Sequence, residues 1–161
     1  MEVSIRRATS EDYNPLCALF DEVDDFHRRS LPHLFQKPDG PVREESFIRD
    51  MLSDENACLF IAESNGKLIG FVHAAILVAP SLPIFRPRHY AVVEGIGVSA
   101  EFRNHGIGRL LMDKIHTWAL TRDVSSIELN VYDFNQTAIT FYETLGYETL
   151  SRKMSKTLDN K

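Results

Sequence analysis

The stretch Tyr90-Ala-Val-Val-Glu-Gly-Ile-Gly-Val98, continuing Ser-Ala-Glu-Phe-Arg103-Asn-His-Gly106-Ile-Gly108-Arg-Leu-Leu-Met112, decides how the chain is read. An apolar run of strand type enters a glycine-rich turn, and helical spacing begins where the glycines end. A strand that feeds such a turn presents the unpaired N–H groups of a helix N-terminus, with the positive end of the helix dipole behind them. That is an anion site, and phosphate is the first ligand to consider. Three phosphate-binding patterns compete. A P-loop is excluded, because no glycine is followed by Lys-Ser or Lys-Thr at the required spacing. Gly95-Ile-Gly97-Val-Ser-Ala100 fits a dinucleotide fingerprint, but that reading places Gly106 and Gly108 inside a helix, where each costs about 1 kcal/mol relative to Ala. A turn over Arg103-x-x-Gly106-x-Gly108, with the helix starting there, gives every glycine a role.

This third pattern, Arg103-Asn-His-Gly106-Ile-Gly108, resembles the pyrophosphate loop of the GNAT superfamily of acetyl-CoA-dependent N-acetyltransferases. A second block strengthens the resemblance: Ile127-Glu-Leu-Asn-Val131, then Asn135, then Phe141-Tyr142-Glu-Thr-Leu-Gly146-Tyr147. The two blocks cover roughly the C-terminal half in the family's order. The resemblance implies an α/β fold with a mixed, mostly antiparallel sheet splayed at the CoA site and helices on both faces. It also implies one acetyltransferase domain over 1–161. Acetyl-CoA would bind through Arg103, Asn104, His105, Gly106, Ile107, Gly108 and Arg109 at the pyrophosphate. Ile96, Gly97 and Val98 match the strand along which the pantetheine arm lies, Asn135 a residue that bonds that arm, and Tyr142 the tyrosine placed near the sulfur. A phenol is a suitable acid for a departing thiolate.

Glu94 is the candidate general base, acting directly or through water. It interrupts an apolar strand, and period two puts it on one face with Ile96 and Val98, about 13 Å from Val98. An amine acceptor is almost wholly protonated at neutral pH, so a base is useful. The competing readings are that Glu94 pairs with Arg86, Arg88 or another cation to hold the strand, or that it only binds the acceptor.

The remaining sequence frames these sites. At 161 residues, 43% hydrophobic and 25% charged, the chain has the composition of one soluble globular domain. A net charge of −5 disfavours nucleic acid and is compatible with a cationic substrate. Cys17 and Cys58 are far apart and read as small buried hydrophobes, so no disulfide framework and no metal site are expected. No run approaches membrane-spanning length and no signal core is present, so a cytoplasmic protein without membrane partners is expected.

Residues 3–8 alternate as a first strand. Leu16, Leu19, Phe20, Val23 and Phe26 mark an amphipathic helix whose other face, Asp21, Glu22, Asp24 and Asp25, reads as solvated. The proline-rich residues 27–41 exclude a long helix. By resemblance they wall the acceptor site, which makes His27, His33 and Phe35 candidates for substrate contact. A short helix around Phe47–Leu52 precedes two strands, 57–64 and 67–78, joined by Asn65-Gly66. His73 on the second strand reads as a hydrogen-bonded core or rim histidine. In the loop 79–89, Phe85, Arg86 and His89 are placed to reach an acceptor.

A helix over 108–121 burying Leu110, Leu111, Ile115, Trp118 and Ala119, a strand over 124–131, a helix over 136–145 and one or two strands over 147–157 complete the expectation. Function is expected to be acetyl transfer to a primary amine, on a small molecule or a protein, by direct attack in a ternary complex. A non-catalytic CoA-binding sensor and transfer of a longer acyl group are the alternatives. A homodimer is the default assembly for the class.

Overall fold

In the computed structural model residues 1–159 are described. They divide into two compact units, Met1–Asn130 and a second from Val131 onward, each taken here by itself.

The first unit is a five-stranded sheet in sequential order: β1 (Ser4–Arg7), β2 (Ala57–Ser64), β3 (Lys67–Val78), β4 (His89–Val98) and β5 (Ile127–Leu129). The first three pairings are antiparallel and the last is parallel. Asn65 and Gly66 both have positive φ, 50° and 73°, the geometry that turns two twisted strands back on each other in two residues. The hairpin therefore lies where the sequence predicts it.

Helix α1 (Tyr13–Ser30) follows a 3₁₀ turn at Ser10–Asp12. Asp12 fastens this start: both its oxygens accept from the Arg6 guanidinium at 2.9 Å, and one also accepts from the Thr9 amide at 2.8 Å. The Arg6 hydrogen bonds hold its carboxyl below the ordinary carboxylate value. α1 continues four residues past Phe26, so His27 lies on the helix instead of in the proline-rich loop. A second short helix, α2, spans Glu45–Ser53.

Helix α3 (Ile107–Leu120) packs on the opposite face of the sheet from α1. A β-carbon on Gly70 would lie 3.2 Å from Leu111, whereas one on Gly97 would lie 2.5 Å from Val23 of α1. Ile107, Leu111, Met112, Ile115, Trp118 and Ala119 make the buried stripe of α3. Leu110 is 42% exposed, contrary to expectation, because residues one apart on a helix diverge by about 100° and Leu111 takes the inward place.

The second unit contains α4 (Gln136–Thr144), capped by Asn135, whose side chain accepts from the Ala138 amide at 3.2 Å. Gly146 ends it with φ 92°. Among the described residues no strand follows. In 147–157 the large aliphatic side chains are Leu150 and Met154, 77% and 88% exposed, and two such residues leave the segment little apolar area with which to hold a ladder.

Gly97 sets how closely α1 approaches β4. Gly97→Ala places a methyl 2.5 Å from Val23 Cγ2 and 2.8 Å from Phe71 Cε1, and should destabilise the fold by about 1–3 kcal/mol. Gly95→Ala, which meets Phe71 at 3.5 Å, should be tolerated. Thermal melts of the two variants check this, and equal midpoints would show that α1 is not held at the observed spacing.

Candidate functional site

The site begins with an interruption of pairing. The β4–β5 ladder comprises Ala91–Ile127, Val92–Glu128 and Val93–Leu129, yet β4 runs on to Val98 with β3 alone. Ser99 N donates to Ile69 O at 2.9 Å, and antiparallel pairs alternate, so Gly97 bonds to β3 while Ile96 and Val98 turn their N–H and C=O groups outward. Beyond Val93 no strand pairs with this outward edge among the described residues.

Glu94 sits at a β-bulge. Gly95 pairs with His73 and Val93 with Ala74, so Glu94 is the extra residue between them. The bulge inverts the alternation. Ile96 and Val98 share the α3 face with their partners Val72 and Gly70, while Glu94 turns to the other face, where its carboxylate lies 3.8 Å from His73 Nδ1. The expectation that Glu94 shares a face with Ile96 and Val98 is thus corrected by one inserted residue. Glu94 remains exposed.

Of the arginines in the competing reading, Arg88 is engaged elsewhere: it donates to Glu128 at 3.0 Å and lies over the Tyr90 ring. His73 is half-buried, and burial lowers its pKa below the ordinary value, partly offset by Glu94 and Asp54. Its contact with Glu94 has ion-pair length, longer than the hydrogen bond expected of a rim histidine.

After Val98 a 3₁₀ turn at Ala100–Phe102 leads to the glycine turn. Asn104 and Gly106 have φ of 63° and 78°, with His105 between them outside the positive-φ set. Alternation of this kind points successive N–H groups into a concavity that suits an anion. Gly106 is the N-cap of α3, so the first-turn amides of Ile107, Gly108 and Arg109 open toward the same end. His105 Nδ1 donates to Arg103 O at 2.7 Å and braces the turn. The Arg103 guanidinium does not extend outward: Nε donates to Val98 O at 3.1 Å and Nη2 reaches Glu22 at 3.3 Å. Arg109 is exposed.

Within the second unit, Tyr142 is half-buried, its ring 5.3 Å from Phe141 and 6.0 Å from Tyr147. Burial, then Tyr147, pushes its phenol up to about 12, so it is protonated throughout the neutral range. Asn135 caps α4, its side chain accepting from the Ala138 amide.

Of the acceptor-side candidates, the structure brings His27 and Phe35 together, with ring centroids 5.6 Å apart, and His27 Nδ1 donates to Val23 O. His33 and Phe85 are exposed. The acidic residues of α1 are mostly committed to ion pairs: Asp21 and Asp25 with Arg28, Asp25 also with Arg29, and Asp24 with Arg43. Sequence reasoning missed Glu22, because it reads as one more charge on a solvated face. It missed the His73–Glu94 contact because a bulge has no composition signal.

The profile of the acetyltransferase (GNAT) family matches residues 20–147. The chain belongs to this family. It is 23% identical over 146 residues to the uncharacterized N-acetyltransferase YhfO of Bacillus subtilis, covering 91% of this chain and 90% of that one. N-alpha-acetyltransferase 60 of Danio rerio is 30% identical over 119 residues, 65% of this chain, and the chain spans only 48% of that protein's length. The structure of the BH1408 protein of Bacillus halodurans, a tetramutant, superposes with a TM-score of 0.91 at 27% identity, covering 96% of this chain and 99% of that one. The protein is an acyl-CoA-dependent acetyltransferase of GNAT type with a mixed, mostly antiparallel sheet. Among the described residues no group of metal-ligating side chains is present, and no helix is long and apolar enough to cross a membrane.

The lowered pKa of His73 has a pH consequence. Between its folded-state midpoint and the ordinary value of 6.5 the unfolded chain binds the extra proton, so acidification through that window destabilises the fold. Nuclear magnetic resonance titration should give a His73 midpoint below 6.5 that falls further in Glu94→Gln. A midpoint at or above 6.5 would refute the dominance of burial, and one indifferent to Glu94→Gln would refute the contact.

Proposed function

We propose that the protein transfers the acetyl group of acetyl-CoA to a primary amine by direct attack in a ternary complex. The observation that carries this is the one-sided stretch of β4, which runs from an exposed carboxylate at Glu94 past the outward amide edges of Ile96 and Val98 into the glycine turn. Such an edge can pair with the two amides of a pantetheine arm as a further strand would. The amides from Asn104 to Arg109, at the start of α3, suit a pyrophosphate, and the Arg109 side chain is exposed to add charge. Gly97 lets the strand lie against α1. When bound, acetyl-CoA supplies an activated acyl carbon and a thiolate leaving group.

The chain's own residues then manage protons. Glu94 takes one from the acceptor ammonium, directly or through water, so that the amine can attack. Tyr142, whose phenol keeps its proton in the neutral range, gives one to the departing sulfur. Asn135, by its match to the family, bonds the arm's amides. The family profile spans 20–147 and so includes residues of both compact units, which supports their acting as a single acetyltransferase domain. The acceptor is a small-molecule or protein amine, met by side chains around His27, His33, Phe35 and Phe85.

Calorimetric titration should show acetyl-CoA binding in the micromolar range, abolished in a Gly106→Glu, Gly108→Glu variant. Absence of binding by the intact protein would overturn the reading. With an amine that supports thiol release, Glu94→Gln should lower turnover by about a hundredfold or more near neutral pH, and Tyr142→Phe by a comparable factor. Unchanged turnover in either variant would remove that residue from the chemistry. Coenzyme binding with no thiol release across an amine panel would favour a sensor.

A further inference from the structure

The first residue of the phosphate motif does not point its side chain at the anion site. Arg103 lies back across the turn, with Nε on Val98 O and Nη2 on Glu22. Glu22 belongs to α1, far away in sequence, and the same oxygen that meets Arg103 accepts the Ala100 amide at 2.6 Å. Ala100 is the first residue of the 3₁₀ turn, and that turn's own N-cap, Ser99, makes no side-chain capping bond. One carboxylate oxygen therefore caps the turn from another helix and holds the arginine that closes it. Lys67 grips the far side, bonding Glu101 at 3.0 Å and lying over the Phe102 ring. The turn between the outward edge of β4 and the amides of α3 is thus fastened to α1 by Glu22 and to the hairpin by Lys67.

We propose that Glu22 is a positioning residue for coenzyme binding: by holding Ala100 and Arg103 it fixes the turn that carries the phosphate-binding amides. The proposal rests on the coenzyme reading given above. It reverses the usual expectation for an acidic group near an anion site. By charge alone Glu22 should repel a pyrophosphate, and its removal should tighten binding. By position its removal frees both a helix cap and a guanidinium, and binding should weaken. The short bond to Ala100 N and the second bond to Arg103 favour position over charge. The consequence reaches the acceptor side, because α1 leads through His27 into the segment that holds His33 and Phe35.

The test is titration of acetyl-CoA into the wild-type protein and into Glu22→Gln, Glu22→Ala, Arg103→Ala and the Glu22→Ala, Arg103→Ala double variant, with thermal melts of each. Gln keeps an oxygen that can accept both hydrogen bonds but carries no charge, so Glu22→Gln should bind within about threefold of wild type. Glu22→Ala should bind about tenfold more weakly. If Glu22 and Arg103 act as one device, the double variant should be no weaker than the weaker single variant. A purely structural role would instead lower the melting point of Glu22→Ala, which loses both hydrogen bonds, and leave the affinity of the folded fraction unchanged. Equal or tighter binding by Glu22→Ala, or additive losses in the double variant, would overturn the proposal while leaving the coenzyme reading intact. Failure of the wild-type protein to bind would remove both.

Discussion

Past Val93, β4 has a partner on one side only. Everything at the site depends on this. A free strand edge normally invites unwanted pairing, and proteins keep such edges short or covered. Here the edge is bounded at one end by the bulge at Glu94 and at the other by the turn that Glu22 and Lys67 secure. Its outward carbonyl at Val98 is met by Arg103, which leaves a second lone pair on that oxygen. The sheet face opposite α3 is closed over the same stretch by Val23, which the missing side chain of Gly97 admits. The residues that leave the edge open also give it a fixed length and direction.

Charge is distributed around this edge with a consistent consequence. Four acidic side chains of α1, Asp21, Glu22, Asp24 and Asp25, pair with arginines, and Glu128 on β5 pairs with Arg88. The partner of Glu94 is instead an imidazole that burial keeps neutral in the neutral range. Glu94 therefore differs from these arginine-paired carboxylates in the partner it meets. Net charge alone does not convey this, because a value of −5 says nothing about which acids are committed.

Much of the fold was legible in the sequence, for identifiable reasons. The hairpin was readable because Asn65-Gly66 supplies the two positive φ angles that a two-residue turn needs. The glycine turn was readable because its glycines made sense at only one helix start. What could not be read depended on partners. The bulge at Glu94 is a property of two strands in register, and neither strand announces it. Arg103 was read as a phosphate ligand from its place in a motif. Its actual contacts involve a glutamate on another element that local sequence cannot connect to it. The final strands failed as an expectation because Leu150 and Met154 give 147–157 too little apolar area to bury.

The two glycines that matter most act by different physics, and together they separate coenzyme geometry from coenzyme charge. Gly97 is needed for space: a β-carbon there would meet α1 and Phe71 well inside contact distance. Gly106 has open space where its β-carbon would be and is needed for its φ of 78°, which L side chains adopt at a cost. With Arg103 turned inward, the donors in the turn that remain for an anion are mainly backbone N–H groups, which cannot lose a proton or swing away. A site made this way recognises shape and direction more than net charge. On the proposed reading, that is how an acidic protein, with Glu22 bonded directly to the turn, accepts a phosphate there.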